Sequence, residues 1–324
     1  MRELLNAIAP LTEAELRAVV SNRAAALLPD GIEPIPRLAG SGARRALQGM
    51  RSVPDADIVH GLDVDLPFRS SCPTVATVHD LSVFDVPWAF SRYRAAGERR
   101  LVAAAIGRAD ALVAVSAFTA ERINHHFGRS ACVIPLAPRS SPAQTTPEAR
   151  GDVRRRYDLP DRFVLQLASI EPRKDVDLLA SACTAVGVPL VLAGSIGRRT
   201  VPAGARHLGY VPSADIDPLL DTADIVAYIS LYEGFGLPPL DAMSRGRPVV
   251  ASAVGALPEI AADGAELVPP GNEEALKTAL RELLADDDRR ADLATRAVNT
   301  ASRLSWRATA VHTLDVYRRL GATV

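Results

Sequence analysis

The sequence predicts an α/β protein of two domains, each built on a parallel sheet covered by helices. A chain of 324 residues, 48% of them hydrophobic, is too long for one ordinary domain and suits two buried cores. Short, nearly continuous apolar runs rich in Val, Ile and Ala recur along it, each followed by a longer helical pattern. Because these runs are continuous rather than alternating, they indicate parallel strands buried on both faces.

The predicted strands fall into two sets. The first set comprises Asp57 to His60, Pro73 to His79, Ala111 to Val115 and Ala131 to Pro135. The second set comprises Phe163 to Ala168, Leu190 to Gly194, Asp224 to Ile229 and Pro248 to Ser252. Between them, residues 139–151 are rich in Ser, Pro, Thr and Arg without periodicity, which is typical of a linker. We therefore predict a first domain over 1–140, a linker over 141–154 and a second domain over 155–304. A helix over 305–324 is expected to pack back on the first domain.

The amino end has an unusual pattern for such a protein. Arg2 to Val20 predicts a helix, so the numbered chain opens without a strand. A parallel α/β domain normally begins with one. We therefore expect the first domain to lack its opening strand.

Composition excludes several classes of protein. A net charge of −1 provides no general basic face for nucleic acid. The start lacks a basic and then apolar leader, and no run approaches about 18 apolar residues, so we expect a cytoplasmic protein. Cys72, Cys132 and Cys183 are far apart, without the paired spacing of a disulfide framework or a zinc site. They are interpreted as reduced packing residues.

The segment from Glu233 to Asp241 is the most informative part of the sequence. It follows a predicted strand, turns at glycines and places Pro238 where the first turn of a helix tolerates proline. A helix N-terminus attracts anions, and Glu233 and Asp241 bracket it with acceptors for sugar hydroxyls. The backbone groups expected to meet a ligand are those of Gly234, Phe235, Gly236 and Leu237. An ordinary strand-to-helix turn with surface acids stays open as the alternative.

Arg173 and Lys174 follow the first predicted strand of the second domain and precede a helix. Ligands bind at the carboxyl ends of strands in such domains, and two adjacent cations can neutralise a diphosphate. Only Lys174 and Lys277 are lysines among 37 basic residues, so a lysine at this place invites a functional reason. A solvated basic corner is the alternative.

Together these motifs resemble the retaining glycosyltransferases of the GT-B type, group 1, especially bacterial mannosyltransferase-like members. The resemblance covers most of the chain from about Asp57 onward. The matching motifs are Thr77-Val78-His79-Asp80-Leu81, Val113-Ala114-Val115-Ser116, Val133-Ile134-Pro135, Glu171-Pro172-Arg173-Lys174, Gly209-Tyr210-Val211, Glu233 to Asp241, and Arg247-Pro248-Val249-Val250-Ala251-Ser252. Each is weak alone, but their order and spacing together are specific.

The resemblance implies two Rossmann-like domains facing across a cleft, with the nucleotide of a sugar donor on the second and the acceptor on the first. Arg173 and Lys174 carry over as diphosphate contacts. Glu233 carries over as the first acid of the Glu-x7-Glu motif, close to the donor sugar. Asp241 occupies the place of the second acid, which holds the ribose hydroxyls. No metal and no further cofactor are expected, since the nucleoside diphosphate sugar is itself the substrate.

Further positions carry over from the same resemblance. Tyr210 and Val211 fall where the nucleobase packs, and His79 matches the residue that faces the sugar from the first domain. His60, Asp80 and Ser116 complete the expected acceptor side. His60 could equally be a buried histidine with satisfied hydrogen bonds. The residues expected to be catalytic are His79, Glu233, Arg173 and Lys174.

Three departures from the family pattern stand out. Asp241 is one methylene shorter than the usual Glu, Ala168 replaces a glycine of many relatives, and the opening strand and glycine loop are missing. The predicted function is transfer of a hexose, preferably mannose, from a nucleoside diphosphate to a glycan or lipid-linked acceptor. A catalytically impaired binding subunit and a sugar-nucleotide epimerase stay open as alternatives. An arginine-rich stretch over 92–100 is either a solvated helix face or a contact with anionic lipid, and the oligomeric state is left open.

Overall fold

The computed structural model describes residues 2–37, 53, 55–139, 145–196 and 200–324, which divide into two compact units. The first unit comprises Met1–Leu136 with Ser305–Val324, and the second comprises Ala137–Leu304. All strand pairs within the described ranges are parallel, as the continuous apolar runs predicted. The α/β fold class is therefore confirmed.

The strands in chain order are β1 (Leu16–Ser21), β2 (Ile32–Arg37), β3 (Val59–Gly61), β4 (Thr74–Val78), β5 (Ala111–Ala114), β6 (Cys132–Val133), β7 (Val164–Leu167), β8 (Leu190–Ala193), β9 (Ala205–His207), β10 (Ile225–Tyr228), β11 (Val249–Ser252) and β12 (Glu266–Val268). The helices are α1 (Arg2–Ile8), α2 (Asn22–Ala25), α3 (Ser82–Asp85), α4 (Arg92–Arg108), α5 (Ala117–Phe127), α6 (Pro147–Arg156), α7 (Val176–Val186), α8 (Ser213–Thr222), α9 (Leu237–Ser244), α10 (Leu257–Ala261), α11 (Glu273–Ala285), α12 (Asp287–Ala301) and α13 (Trp306–Arg319). Each of the predicted strands overlaps an observed one.

The first unit is built on a four-stranded sheet of order β3-β4-β5-β6, and β1 and β2 form a separate pair. Every residue of β4 is buried, because helices cover both faces of the sheet. On one face Val78 packs with Ile106 and Ile123 from α4 and α5. On the other face α1 and α13 pack together over Val75 and Val113.

The second unit is a six-stranded parallel sheet of order β12-β11-β10-β7-β8-β9. All residues of β8, β10 and β11 are buried. Helices α7 and α11 pack against each other over one face of this sheet. The chain runs outward from β7 to β8 and β9 on one side, then returns to place β10, β11 and β12 on the other.

Two predictions need correction. The helix expected over Arg2 to Val20 ends at Ile8, and the β-branched pair within Leu16–Ser21 lies in strand β1. The first element is thus a helix, as expected, but it is shorter than predicted and is followed by β1, which pairs with β2 outside the four-stranded sheet. Of the segment predicted as a linker, residues 141–144 lie outside the described ranges and Pro147–Arg156 is helix α6, which packs on α8. Thr146 caps this helix by accepting the Ala149 N–H, and proline stands at its first position.

Candidate functional site

The order of the second sheet creates a crevice between β7 and β10. The two strands are parallel neighbours, but β7 is followed in the chain by β8 on one side of the pair and β10 by β11 on the other. The connections that leave their carboxyl ends therefore run toward opposite edges of the sheet. Such a switch point is where open α/β sheets bind ligands. The loop after β7 carries Arg173 and Lys174, and the loop after β10 carries Glu233. The two loops are tied by the Leu231 N–H, which donates to the Arg173 carbonyl at 2.8 Å.

A compact charged cluster occupies this crevice. Lys174 and Glu233 are 4% and 5% exposed, and the Lys174 ammonium donates to Glu233 Oε1. The same oxygen accepts from Ser230 Oγ at 2.7 Å and lies 3.4 Å from Arg173 Nη1. The Arg173 Nε also donates to Glu171 Oε2 at 3.0 Å. Glu233 thus holds both cations that the sequence placed at this edge.

Tyr228, the last residue of β10, also belongs to the cluster. Its hydroxyl accepts from the Lys174 ammonium and lies 3.4 Å from Glu233 Oε2, while Lys174 Nζ is 4.0 Å from the centre of its ring. Burial raises the pKa of Tyr228 well above its usual value, so the phenol stays protonated. Burial likewise lowers the pKa of Lys174, and the charge of Glu233 counteracts that shift.

The glycine turn has the geometry that its sequence predicted. Gly236 adopts a φ of +104° and caps helix α9 (Leu237–Ser244). A Cβ atom there would lie 2.6 Å from Leu257 Cδ2, so a residue with a side chain would also displace that leucine. The start of α9 is the positive end of the helix dipole beside the cluster, although only Leu237 of its first three residues has an N–H, because Pro238 and Pro239 have none.

A second glycine, which the sequence analysis missed, fixes the backbone of Glu233. Gly255 has a φ of +57°, and a Cβ atom on it would lie 2.1 Å from the Glu233 carbonyl oxygen. That oxygen accepts the Ala256 N–H at 3.0 Å. The loop after β11 thus presses against the loop after β10, and glycine is what allows the close approach.

Asp241 lies on α9 and is held by an arginine. The Arg139 N–H donates to Asp241 Oδ1 at 2.7 Å, and Arg139 Nε donates to Oδ2 at 3.1 Å. The other side of the guanidinium donates to Asp217. Burial raises the pKa of Asp241, and the bonds from Arg139 oppose that shift.

The remaining predicted residues of this unit lie after β9. Tyr210 is 78% exposed, whereas Val211 is buried. Gly209 has a φ of +70°, and its carbonyl accepts the Gly194 N–H at 2.8 Å. A Cβ atom on Gly194 would lie 2.2 Å from the Ala168 carbonyl oxygen, so the loops after β7, β8 and β9 meet closely.

The four predicted residues of the first unit are all engaged. His60 bonds to the Tyr317 hydroxyl through Nδ1 at 2.7 Å and to Thr77 Oγ1 through Nε2 at 2.8 Å. Loss of hydration, together with the neighbouring His79, lowers the pKa of His60 to about 3. Both ring nitrogens of His60 are therefore satisfied, which fits the structural alternative for this residue.

His79 donates through Nε2 to the Leu62 carbonyl at 2.8 Å. The Asp80 carboxylate accepts the Ser82 N–H at 2.8 Å and so lies at the start of α3. Ser116 is buried, and its hydroxyl caps α5 by accepting the Thr119 N–H at 3.0 Å. The acceptor-side roles of these residues stay predictions.

Comparison with known proteins identifies the chain. The profile described as glycosyl transferases group 1 matches residues 152–300, and the profile of glycosyltransferase family 4 matches residues 7–138. The O-antigen chain mannosyltransferase B of Escherichia coli is 31% identical over 304 residues, covering 86% of this chain and 78% of that protein. The chain belongs to the group 1 glycosyltransferases.

Solved structures share the fold of this glycosyltransferase. Sucrose-phosphate synthase from Thermosynechococcus elongatus superposes with a TM-score of 0.74 at 21% identity, over 98% of this chain and 92% of that one. HepE from Anabaena, in complex with UDP-glucose, superposes with a TM-score of 0.73 at 19% identity, over 97% and 95% of the two chains. These similarities confirm the predicted GT-B fold. They do not identify a substrate, since identities this low indicate fold alone.

In this glycosyltransferase the structure brings together most of the donor-side residues predicted from sequence. Arg173, Lys174 and Glu233 touch one another, and the turn before α9 follows them. The sequence did not point to four further residues of the site: Tyr228, Ser230, Gly255 and Arg139. A tyrosine inside an apolar strand was an available signal, because a buried phenol needs a hydrogen-bond partner.

Two further observations concern charged and apolar surface. Among the described helices, none is long and apolar enough to cross a membrane. In the arginine-rich stretch, Arg99 donates to the Val83 carbonyl at 2.7 Å and Arg94 pairs with Glu98 at 2.8 Å. Part of that stretch is therefore used within the first unit.

Proposed function

We propose that this glycosyltransferase moves a hexose, preferably mannose, from a nucleoside diphosphate to a glycan or lipid-linked acceptor, with retention at the anomeric carbon. The observation that carries the proposal is the Arg173, Lys174 and Glu233 cluster beside the N-terminus of α9, at the switch point of the second sheet. Two cations and a helix N-terminus suit a diphosphate. The name of the E. coli relative supports mannose, and the UDP-glucose complex of HepE supports a nucleotide sugar.

The chemistry follows from where charge develops. The bond between the anomeric carbon and the diphosphate oxygen breaks, and the leaving group keeps the electron pair. An acceptor hydroxyl oxygen forms the new bond to the same carbon, and its proton passes to the departing phosphate. Arg173, Lys174 and the N–H groups of the turn that leads into α9, at Phe235, Gly236 and Leu237, stabilise the charge on that phosphate, so no metal is required.

Lys174 has to change partners in this scheme. Its ammonium is paired with Glu233 and Tyr228, and a donor phosphate would take over one of those contacts. Glu233, relieved of part of that pairing, accepts hydrogen bonds from hydroxyls of the donor sugar. The buried cluster therefore holds the Lys174 ammonium in place before the donor binds, and the donor phosphate replaces one of its partners.

The other roles complete the donor site. The Tyr210 ring, exposed as it is, offers a stacking surface for the nucleobase beside Val211. Asp241 binds the ribose hydroxyls, and His79 contributes from the acceptor domain. We place the enzyme in the cytoplasm. Contact of α4 with anionic lipid stays a prediction, for which the exposed Trp88 and Tyr93 beside Arg92 and Arg100 are the supporting observation.

Calorimetry with UDP, GDP and ADP, followed by turnover assays with the matching hexose donors, tests the proposal. We expect one diphosphate to bind and its hexose donor to be consumed only when an acceptor is present. Product formation with retained anomeric configuration, read by NMR, supports the retaining mechanism. Binding without turnover would instead favour the binding subunit, and isomerisation of the donor without acceptor would favour the epimerase.

A further inference from the structure

Arg139 occupies half of the acceptor capacity of Asp241. An ionised carboxylate has about four lone-pair positions, two on each oxygen. Arg139 fills one position on Oδ1 through its backbone N–H and one on Oδ2 through Nε. In the part of the chain that the structure describes, no other group bonds to this carboxylate, so one position on each oxygen remains for the neighbouring hydroxyls of a ribose. The Asp241 side chain is still 11% exposed, so an edge of the carboxylate is accessible.

The guanidinium of Arg139 is itself held from its far side. Arg139 Nη2 donates to Asp217 Oδ1, and Asp217 Oδ2 lies 3.5 Å from Arg245 Nη1. Arg245, whose side chain is 5% exposed, donates through Nε to Asp221 Oδ1 at 2.6 Å. Thr145 Oγ1 donates to the other oxygen of Asp221 at 2.7 Å. The chain of alternating charges fixes the orientation of Arg139 independently of any ligand.

We propose that Arg139 is the positioning residue of the ribose site, which fixes the Asp241 carboxylate through two hydrogen bonds and aims its two remaining lone-pair positions at the ribose hydroxyls. The inference rests on the proposed function, because it takes Asp241 as the acid that binds ribose. It also explains how an acid one methylene shorter than the family's usual Glu serves that role. Two hydrogen bonds from Arg139 fix the orientation of the shorter side chain.

Charge makes this positioning essential. Burial raises the pKa of Asp241, and the nearby Asp217 acts in the same direction. The bonds and the charge of Arg139 are what oppose protonation, with Arg245 as the other cation in the network. Without Arg139 the pKa of Asp241 rises further, and a protonated acid loses acceptor positions for hydroxyls.

The experiment compares ribose with deoxyribose. Calorimetry is run with UDP, GDP and ADP and with their 2′-deoxy counterparts, at about pH 8 and about pH 6. The wild type is expected to bind one ribonucleotide about tenfold or more tightly than its deoxy form at both pH values, because a hydrogen bond to a charged group is lost. In Arg139→Met the preference is expected to shrink as the pH falls, whereas Arg139→Lys is expected to restore part of it.

Arg155→Met is the matched control. Arg155 lies on α6 in the same unit, its side chain is 75% exposed, and it pairs with Asp152. We expect this variant to keep the wild-type preference at both pH values. Thermal melting of each variant checks folding. Should Arg139→Met fail to fold, Asp217→Ala loosens the same guanidinium but also removes a charge that raises the pKa of Asp241, so the ribose preference is expected to shrink equally at both pH values.

The contrary outcomes are distinct. A wild-type preference in Arg139→Met at both pH values overturns the positioning role. Tighter ribonucleotide binding by Arg139→Met also overturns it, since Arg139 would then be blocking the site. Equal binding of the ribose and deoxyribose forms by the wild type shows that Asp241 does not bind the 2′-hydroxyl, and it overturns the inference. The proposed diphosphate site is not affected by that result. Failure of the wild type to bind any of the six compounds contradicts the proposed function itself.

Discussion

Lys174 and Glu233 form an ion pair buried at the switch point of the second sheet, with both residues no more than 5% exposed. Desolvation makes such a pair a weak source of stability. Because the pair lies beside Arg173 and the start of α9, we expect it to act on the charge of a bound diphosphate rather than to stabilise the fold.

The first prediction concerns the cation. Lys174→Ala is expected to lower kcat by about 10²–10³, equivalent to about 2.7–4 kcal/mol, because one preorganised contact to the leaving phosphate is lost. Steady-state kinetics with the donor identified by calorimetry measures the change. Lys277, the only other lysine, pairs with Glu273 and Glu274 on α11 and provides the control Lys277→Ala. If Lys174→Ala turns over at the rate of this control, Lys174 does not stabilise the leaving phosphate.

The second prediction concerns the backbone of Glu233. Gly255→Ala is expected to reduce both activity and stability, because its Cβ would lie 2.1 Å from the Glu233 carbonyl oxygen. Gly271→Ala is the control: its φ is +70°, but no atom lies within 4 Å of its Cβ. Both variants should lose about 1–2 kcal/mol through left-handed strain. A thermal melt that ranks the two variants equally would argue against the close contact.

The third prediction concerns the nucleobase. Tyr210→Ala is expected to weaken donor binding by about 1–3 kcal/mol through lost stacking. Since Tyr210 is 78% exposed, its removal should leave the melting temperature unchanged. Calorimetry with the bound nucleoside diphosphate measures the affinity, and Tyr93→Ala, at an exposed tyrosine of the first unit, serves as control. Unchanged affinity in Tyr210→Ala would place the base elsewhere.

The fourth prediction concerns pH. The pKa of His60 falls from 6.5 to about 3 on folding, so the folded state binds fewer protons than the unfolded state between these values. Stability should therefore decline as the pH drops below about 6.5. Thermal melts of the wild type and His60→Gln over this range test it, because the variant should show a shallower decline. An NMR titration in which His60 protonates near 6.5 would contradict the shift.

The sequence was sufficient for the features that depend on local pattern. Continuous apolar runs predicted β4, β8, β10 and β11, and a glycine turn with prolines predicted the start of α9. Strands β9 and β12 were not predicted, because each short strand contains a charged residue, Arg206 and Glu266 respectively, instead of lying in a continuous apolar run. Strand β1 was assigned to a helix because the apolar spacing of α1 was extended beyond its end at Ile8.

The contacts that sequence could not provide join distant positions. Arg139 and Asp241 are separated by 102 positions, and Gly255 meets Glu233 only because β10 and β11 are neighbours in the sheet. Arg139 opens a stretch rich in Ser, Pro and Thr at the end of the predicted first domain, where nothing in the pattern indicated a partner in the second. Its function depends on a partner that only the folded chain brings close, whereas Lys174 was conspicuous through composition alone.

The bond between His60 and Tyr317 has a consequence for the order of synthesis. Tyr317 lies on α13, which joins the first unit although the whole second unit intervenes in the chain. A ribosome releases the second unit, a continuous segment, before it releases α13. Until α13 is synthesised, the sheet face with Val75 and Val113 therefore lacks the helix that packs there together with α1.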